Sequence, residues 1–209
     1  MQICNPVQSL EGQDVIIIGG GPSLRGFNWE LLNGRNTIGC NSAFRLGFRY
    51  CNRLFFTDLK FFEAFSTELA EYRGPIYTNC EALQNVSWLN VFPRKPKGLH
   101  KDAIGFNYSS GAGAINLALI LGARRVFLLG FDCFCTTPAQ PNWHDYVIQK
   151  LDVGAYSNFI LGFQSVAKTL SVFPGCEVYN VSDVSALKVF PTISTYDFFT
   201  ANDNKYNTI

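Results

Sequence analysis

The residues best suited to acid–base chemistry lie late in the chain, where His144 and Asp145 follow a tryptophan. Because an imidazole changes its charge near neutral pH, His144 could accept a proton from a reacting hydroxyl group. Asp145, or Asp132 at the end of an apolar run, could orient the ring. A single histidine beside a tryptophan in a loop is as often structural, and the sequence leaves both interpretations open.

Near the start of the chain, a glycine-rich stretch is typical of phosphate binding. The apolar run 15–18 has the pattern of a strand covered on both faces, and Gly19-Gly20-Gly21-Pro22-Ser23 follows it directly. Glycines let the backbone approach a ligand closely, and Pro22 suits the first turn of a helix. The free N–H groups of that helix start would face the loop, so the pattern predicts a phosphate cradle.

Polar residues also stand at the ends of other predicted elements. The second predicted strand ends at Asn41, whose amide can both donate and accept hydrogen bonds, and the third ends at Asp58. Ser109-Ser110-Gly111 opens the strongest predicted helix, with a serine as its N-cap, and offers a second helix N-terminus to an anion. Together with the glycine stretch, these residues predict a nucleotide site at the carboxyl edge of a sheet.

The order of the elements predicts how these residues are positioned. Strands alternate with helices, which favours an α/β fold: one doubly wound, mostly parallel, Rossmann-like sheet with helices on both faces. We expect a single nucleotide-binding domain over 1–195 and a loosely held polar tail over 196–209. The long irregular segment 133–155 is interpreted as a lid. The basic segment 93–108 is interpreted as a surface loop, either solvated or a flap that meets an anionic ligand.

Composition excludes several classes of protein. Of 209 residues, 47% are hydrophobic and 15% aromatic, which indicates a globular chain. The 17 basic and 16 acidic residues nearly balance, so no overall charge draws the protein to nucleic acid or lipid. There is no pattern of a signal peptide or membrane span, and the seven cysteines are an odd number, so we expect a cytoplasmic protein. Cys133 and Cys135 lack a second pair at zinc-finger spacing, and no metal site is predicted.

The glycine stretch differs from two well-known nucleotide motifs. A dinucleotide fingerprint requires a third glycine where Leu24 stands, and an acidic residue at the end of the second strand, where the chain has Asn41. A P-loop requires Gly-Lys-Ser/Thr after the glycines, whereas the nearest cation here is Arg25. On its own, the glycine pattern therefore does not identify the nucleotide.

Four segments together resemble bacterial sialyltransferases that use CMP-sialic acid. In order they are Ile-Ile-Gly-Gly-Gly-Pro-Ser-Leu (17–24), Cys-Asn-Ser (40–42), Ser-Ser-Gly (109–111) and Leu-Leu-Gly-Phe-Asp (128–132). The chain is also similar to flagellin glycosyltransferases, to archaeal hydroxymethylpterin pyrophosphokinases and, most closely, to short bacteriophage-encoded proteins. The resemblance covers most of residues 14–191.

This resemblance implies how a donor would be held. The backbone of residues 20–23 would cradle the donor phosphate, and Asn41 would meet the cytidine ribose or the phosphate. Asp58 stands where those enzymes have an asparagine that faces the donor. Residues 109–111 would contact ribose and base.

The same resemblance implies the catalytic groups. The family's general base is a histidine in the loop after the Gly-x-Asp strand, and His144 is the only histidine in that loop. It lies in Trp-His-Asp, where the family has Gly-His-Ser. Tyrosines of that loop bind the leaving phosphate in the family, which implicates Tyr146 and Tyr156.

The predicted activity is transfer of a sugar from a nucleotide-activated donor, with a CMP-linked donor favoured, to an unknown acceptor and without a prosthetic group. One alternative is pyrophosphoryl transfer, in which Asp58, Asp132 or Asp145 would hold magnesium. Another is a nucleotide-binding protein without catalysis. DNA as the acceptor has no support from the net charge. If the protein is phage-encoded, it would act in the host cytoplasm; the sequence does not predict its oligomeric state.

Overall fold

The structure is a computed structural model that describes residues 9–134, 142–145 and 154–206. Within these ranges the strands are β1 (Asp14–Ile18), β2 (Thr37–Cys40), β3 (Leu54–Phe56), β4 (Ile76–Thr78), β5 (Asn90–Val91), β6 (Arg94–Lys95), β7 (Ile104–Gly105), β8 (Arg125–Leu129), β9 (Glu177–Val181) and β10 (Thr192–Ile193). The α-helices are α1 (Leu59–Ala70), α2 (Ser110–Ile120), α3 (Ala155–Lys168) and α4 (Thr195–Tyr206). Short 3-10 turns follow β1 and β2.

Eight of these strands form one sheet in the order β10-β9-β8-β1-β2-β3-β4-β5, and each neighbouring pair is parallel. From β1 the chain adds β2 to β5 on one side, then returns to add β8 to β10 on the other. The order therefore reverses between β1 and β8, and α/β sheets bind ligands at the carboxyl ends of strands beside such a reversal. The predicted doubly wound, Rossmann-like α/β fold is confirmed.

The side chains of β1 alternate between two hydrophobic layers. Val15 and Ile17 pack with α2 and α3 on one face, whereas Ile16 and Ile18 pack with α1 and α4 on the other. Helices thus cover both faces, as predicted. α2 is buried along its whole length, which explains why its sequence has almost no polar face. None of the helices described is long and apolar enough to pass through a membrane.

The basic segment 93–108 is folded, and its interpretation as a surface loop is wrong. Strands β6 and β7 pair in parallel within it, and Ile104 is buried. Asn116 of α2 accepts hydrogen bonds from the backbone N–H groups of His100 and Gly105, each at 3.2 Å. The anchoring residues are widely spaced, so they produce no period that a sequence pattern could reveal.

The segment 196–209, for which the sequence predicts a loosely held polar tail, contains a helix in the residues that the structure describes. Helix α4 covers most of this segment and buries Phe198 and Phe199. The ring of Phe198 lies 4.6 Å from that of Phe127 in β8. Two adjacent aromatic residues in an otherwise polar sequence thus pack the helix onto the sheet.

Replacing Phe198 with alanine is expected to lower the free energy of unfolding by about 3–5 kcal/mol, because the cavity left by a buried ring collapses only partly. Chemical denaturation followed by circular dichroism measures the change. Tyr196→Ala is the matched control, since Tyr196 is 76% exposed in the same helix and its loss should cost less than about 0.5 kcal/mol. Equal effects of the two substitutions would show that α4 does not dock through Phe198.

Candidate functional site

A cavity of about 780 Å³ opens at the carboxyl edge of the sheet, beside the reversal between β1 and β8. Its walls come from the segments that follow β1, β2, β3 and β8 and from the first residues of α1, α2 and α3. Most of the residues predicted to bind or react line it: Gly19, Gly20, Gly21, Pro22, Asn41, Asp58, Ser109, Ser110, Gly111, Asp132, His144 and Tyr156. Distant parts of the sequence meet here because the carboxyl ends of parallel strands share one edge.

Two of the described residues that were predicted to bind or react do not line the cavity. Ser23 and Asp145 are described but contribute no wall. Tyr146 lies outside the described residues, as does most of the predicted lid over 133–155.

The glycine turn presents fewer amides than the sequence predicts. The N–H groups of Gly19 and Gly21 donate to the carbonyl oxygens of Leu129 and Gly130, at 2.8 and 2.7 Å. The predicted helix start is a single 3-10 turn, Pro22–Leu24. Pro22 has no N–H group. Among residues 19–22, the Gly20 N–H group is therefore the backbone donor that these bonds leave for a ligand.

Two of the glycines are required by the protein itself. A Cβ atom on Gly19 would lie 2.5 Å from the carbonyl oxygen of Gly130, and one on Gly21 would lie 2.6 Å from Cγ of Asp132. Both distances are shorter than a Cβ atom tolerates, so any residue other than glycine would clash at these positions. These glycines therefore let the turn approach the end of β8, in addition to any approach to a ligand.

A buried carboxylate holds the turn in place. Asp132 is 1% exposed, and its two oxygens accept hydrogen bonds from the backbone N–H group and the hydroxyl group of Ser23, at 2.8 and 2.6 Å. The role of Asp132 in orienting an imidazole stays a prediction, and these two bonds give the carboxylate a structural role in addition. Asp145 is exposed and lies 3.8 Å from Arg25 in a surface ion pair.

Asp132→Asn is expected to lower the free energy of unfolding by about 1–3 kcal/mol, because an amide cannot accept both Ser23 bonds and carries no charge. Urea denaturation measures the loss. Asp145→Asn is the control and should change stability by less than about 0.5 kcal/mol. In a double-mutant cycle with Ser23→Ala, the two effects should not add; additive effects would mean that the Asp132–Ser23 contact is not formed.

A chain of hydroxyl groups fixes the amide of Asn41. The Ser110 hydroxyl donates to Asn41 Oδ1 at 3.1 Å, and it also lies 3.2 Å from the hydroxyl of Thr57. Ser110 has only one hydroxyl hydrogen, so Thr57 must be the donor in the second bond. This direction leaves the NH₂ group of Asn41 as the donor that a ligand can meet. Thr57 was missed by sequence reasoning, although its position at the end of β3 was a usable signal.

Backbone strain is concentrated around the cavity. Among the residues described, three that are not glycine have positive φ angles: Asn41 (51°), Tyr108 (58°) and Cys133 (55°). All three line the cavity. Such conformations cost free energy and persist where the surrounding structure imposes them, which is common at functional sites.

The start of α2 has the predicted capping arrangement. The side chain of Ser109 accepts a hydrogen bond from the N–H group of Gly111 at 3.2 Å, which confirms a serine N-cap. A Cβ atom on Gly111 would lie 2.1 Å from the ring of Phe131, so the glycine admits that ring. The helix N-terminus therefore reaches the cavity with its first turn closely packed.

Other side chains decide which chemistry the cavity can support. Burial raises the pKa of the Cys133 thiol to about 12, so this cysteine is a neutral thiol at neutral pH and not a nucleophile. In the part of the chain that the structure describes, no group of three or more His, Cys, Asp or Glu side chains is placed to share a metal ion. Asp58 precedes α1 but makes no side-chain cap bond, so its carboxylate is not used in capping.

His144 lines the cavity, and the residue before it, Trp143, lies against the glycine turn. Its ring is half-buried and stands nearly perpendicular to the indole of Trp143, with 4.8 Å between ring centroids. Phe106 and Tyr108 line the cavity from the folded basic segment. The ammonium group of Lys97 lies 4.4 Å from the ring centroid of Tyr108.

Comparison with solved structures gives similar folds. The sialyltransferase CstII of Campylobacter jejuni, in complex with the substrate analogue cytidine-5′-monophosphate, aligns over 88% of this chain and 86% of its own, with a TM-score of 0.54 and 16% identity. The monofunctional α-2,3-sialyltransferase Cst-I of the same organism aligns over 87% and 80%, with a TM-score of 0.51 and 16% identity. Comparison with protein-family models and with curated protein sequences gives no match. At such identities the likeness establishes a shared fold.

Proposed function

We propose that this protein is a glycosyltransferase that moves a sugar from a CMP-linked donor to an acceptor hydroxyl group. The observation that carries the proposal is the cavity at the strand-order reversal, in which the glycine turn, Asn41, the start of α2 and His144 meet. Support also comes from the fold, which this chain shares with two sialyltransferases, one of them solved with cytidine monophosphate.

The donor is held by groups that the protein's own bonds leave unused. The Gly20 amide and the NH₂ group of Asn41 donate to phosphate or ribose oxygens. The first turn of α2, over 109–111, adds the partial positive charge of a helix N-terminus. Asp58, at the end of β3, accepts from the ribose hydroxyl groups. Ser23 is excluded from the phosphate contact, because Asp132 already occupies its N–H and hydroxyl groups.

His144 acts as the general base. The acceptor oxygen attacks the anomeric carbon of the donor sugar while the bond from that carbon to the phosphate oxygen breaks. His144 takes the acceptor's proton, and the phosphate leaves with the bonding electron pair. The hydroxyl group of Tyr156, at the start of α3, donates to the departing phosphate, and Tyr146 is proposed for the same role. Asp132 keeps the turn in shape, and Asp145 screens Arg25 at the surface.

CMP is expected to raise the melting temperature of the protein by about 5–10 °C at a concentration of 100 times its dissociation constant. UMP and AMP should produce much smaller shifts at the same concentration. Asn41→Asp is the matched variant, because it replaces the donating NH₂ group by a repelling carboxylate, and it should abolish the CMP shift. A shift that is equal for all three nucleotides would contradict cytidine recognition.

His144→Ala is expected to reduce turnover of a CMP-sugar by about 10²–10⁴-fold and to change CMP affinity by less than about threefold, because the base contributes to the transition state and not to donor binding. Release of CMP measures turnover, and calorimetry measures affinity. His100→Gln is the control, since His100 is the other histidine and lines no part of the cavity. Normal turnover by His144→Ala would place the base elsewhere. A requirement for magnesium with a triphosphate substrate would favour pyrophosphoryl transfer instead.

A cytoplasmic location and a phage origin stay predictions from the sequence.

A further inference from the structure

We propose that Trp143 is a positioning residue, which fixes His144 relative to the glycine turn so that the base and the donor site form one rigid unit. The proposal rests on the proposed function for the identity of the base. The geometric evidence does not depend on that function, because the contacts of Trp143 are made within the protein.

Trp143 is attached to the turn at two points. Its backbone N–H group donates to the carbonyl oxygen of Gly20, and its indole Nε1–H group donates to the carbonyl oxygen of Gly19, each at 3.0 Å. These carbonyls belong to consecutive residues, so the two bonds fix both the position and the direction of the indole. A single bond would leave it free to swing.

A further hydrogen bond strengthens this attachment. The guanidinium of Arg25, just after the glycine turn, donates to the carbonyl oxygen of Asn142 at 2.8 Å. The indole also packs against Trp29, with ring centroids 5.0 Å apart, at the border of the hydrophobic layer that holds α1 and α4. This packing covers the indole, whereas the hydrogen bonds set the position of the residue immediately before His144.

The contact between Trp143 and His144 transmits this position to the imidazole. The two rings meet edge to face, 4.8 Å apart and 87° from parallel. Such a contact restricts the imidazole to few orientations. A donor phosphate at the Gly20 amide and the His144 base would then both be positioned by the peptide groups of Gly19 and Gly20. Proton transfer requires a placement within about half an ångström, so a base held in this way would have an advantage over a mobile one.

The alternative is that Trp143 is only a packing residue. In that case, replacing Trp143 would lower the free energy of unfolding without a specific effect on His144. Trp29→Phe is the matched control, because Trp29 loses the same volume from the same aromatic contact but makes none of the bonds to the turn that Trp143 makes.

The test compares Trp143→Phe with Trp29→Phe by two readouts. In kinetics with a CMP-sugar, Trp143→Phe should lower kcat by about tenfold or more and change CMP affinity by less than about threefold, whereas Trp29→Phe should leave kcat within about twofold. In proton NMR, the titration midpoint of the His144 ring should move by about 0.5 pH unit or more in Trp143→Phe and by less than about 0.2 in Trp29→Phe, because the surroundings of the ring change only in the first. His100 serves as the internal reference.

The two readouts separate this proposal from the proposed function. If no CMP-sugar is turned over by the wild-type protein, the proposed function fails, and the NMR titration alone decides the role of Trp143. Equal midpoints for His144 in the wild-type protein and in Trp143→Phe would overturn the proposal, whatever the activity. Equal kcat values for the two variants would overturn it as well.

Discussion

The contact between the Asp132 carboxylate and Ser23 is the interaction on which the site depends. A buried carboxylate is costly unless its oxygens accept hydrogen bonds, and both oxygens of Asp132 do so within one residue of the glycine turn. This contact ties the end of β8 to the end of β1 across the point where the strand order reverses. It also uses the backbone N–H and hydroxyl groups of Ser23, so the phosphate of the proposed donor would be met by other groups around the turn.

The local features of the site were predictable from the sequence. The glycine turn, Asn41, Asp58 and the start of α2 each follow a buried strand or a break in the pattern, and the edge of a parallel sheet brings such positions together. The serine N-cap was predictable for the same reason, since it depends on residues one or two positions apart. The fold class required only the alternation of strands and helices.

Contacts between distant residues were not predictable in the same way. Nothing near Gly19 or Gly21 in sequence reveals that β8 requires their lack of a side chain, because the partners lie more than 100 positions away. The widely spaced anchors of segment 93–108 and the two phenylalanines of α4 gave no periodic signal. The direction of the hydrogen bonds from Thr57 through Ser110 to Asn41 was not predictable either, because these residues come from the ends of three separate elements.

The strand order also has a consequence for how the protein folds. Strands β1 to β5 can pair as soon as they exist, but β1 lacks its second neighbour until β8 pairs with it, residue by residue from Asp14 with Arg125 to Ile18 with Leu129. Closing so long a segment is slow, since its entropy is lost before the pairing compensates. The amides of Gly19 and Gly21 bond only to the end of β8. The glycine turn can therefore take its final shape only once β8 has paired with β1, and a chain interrupted before β8 would lack both of these bonds.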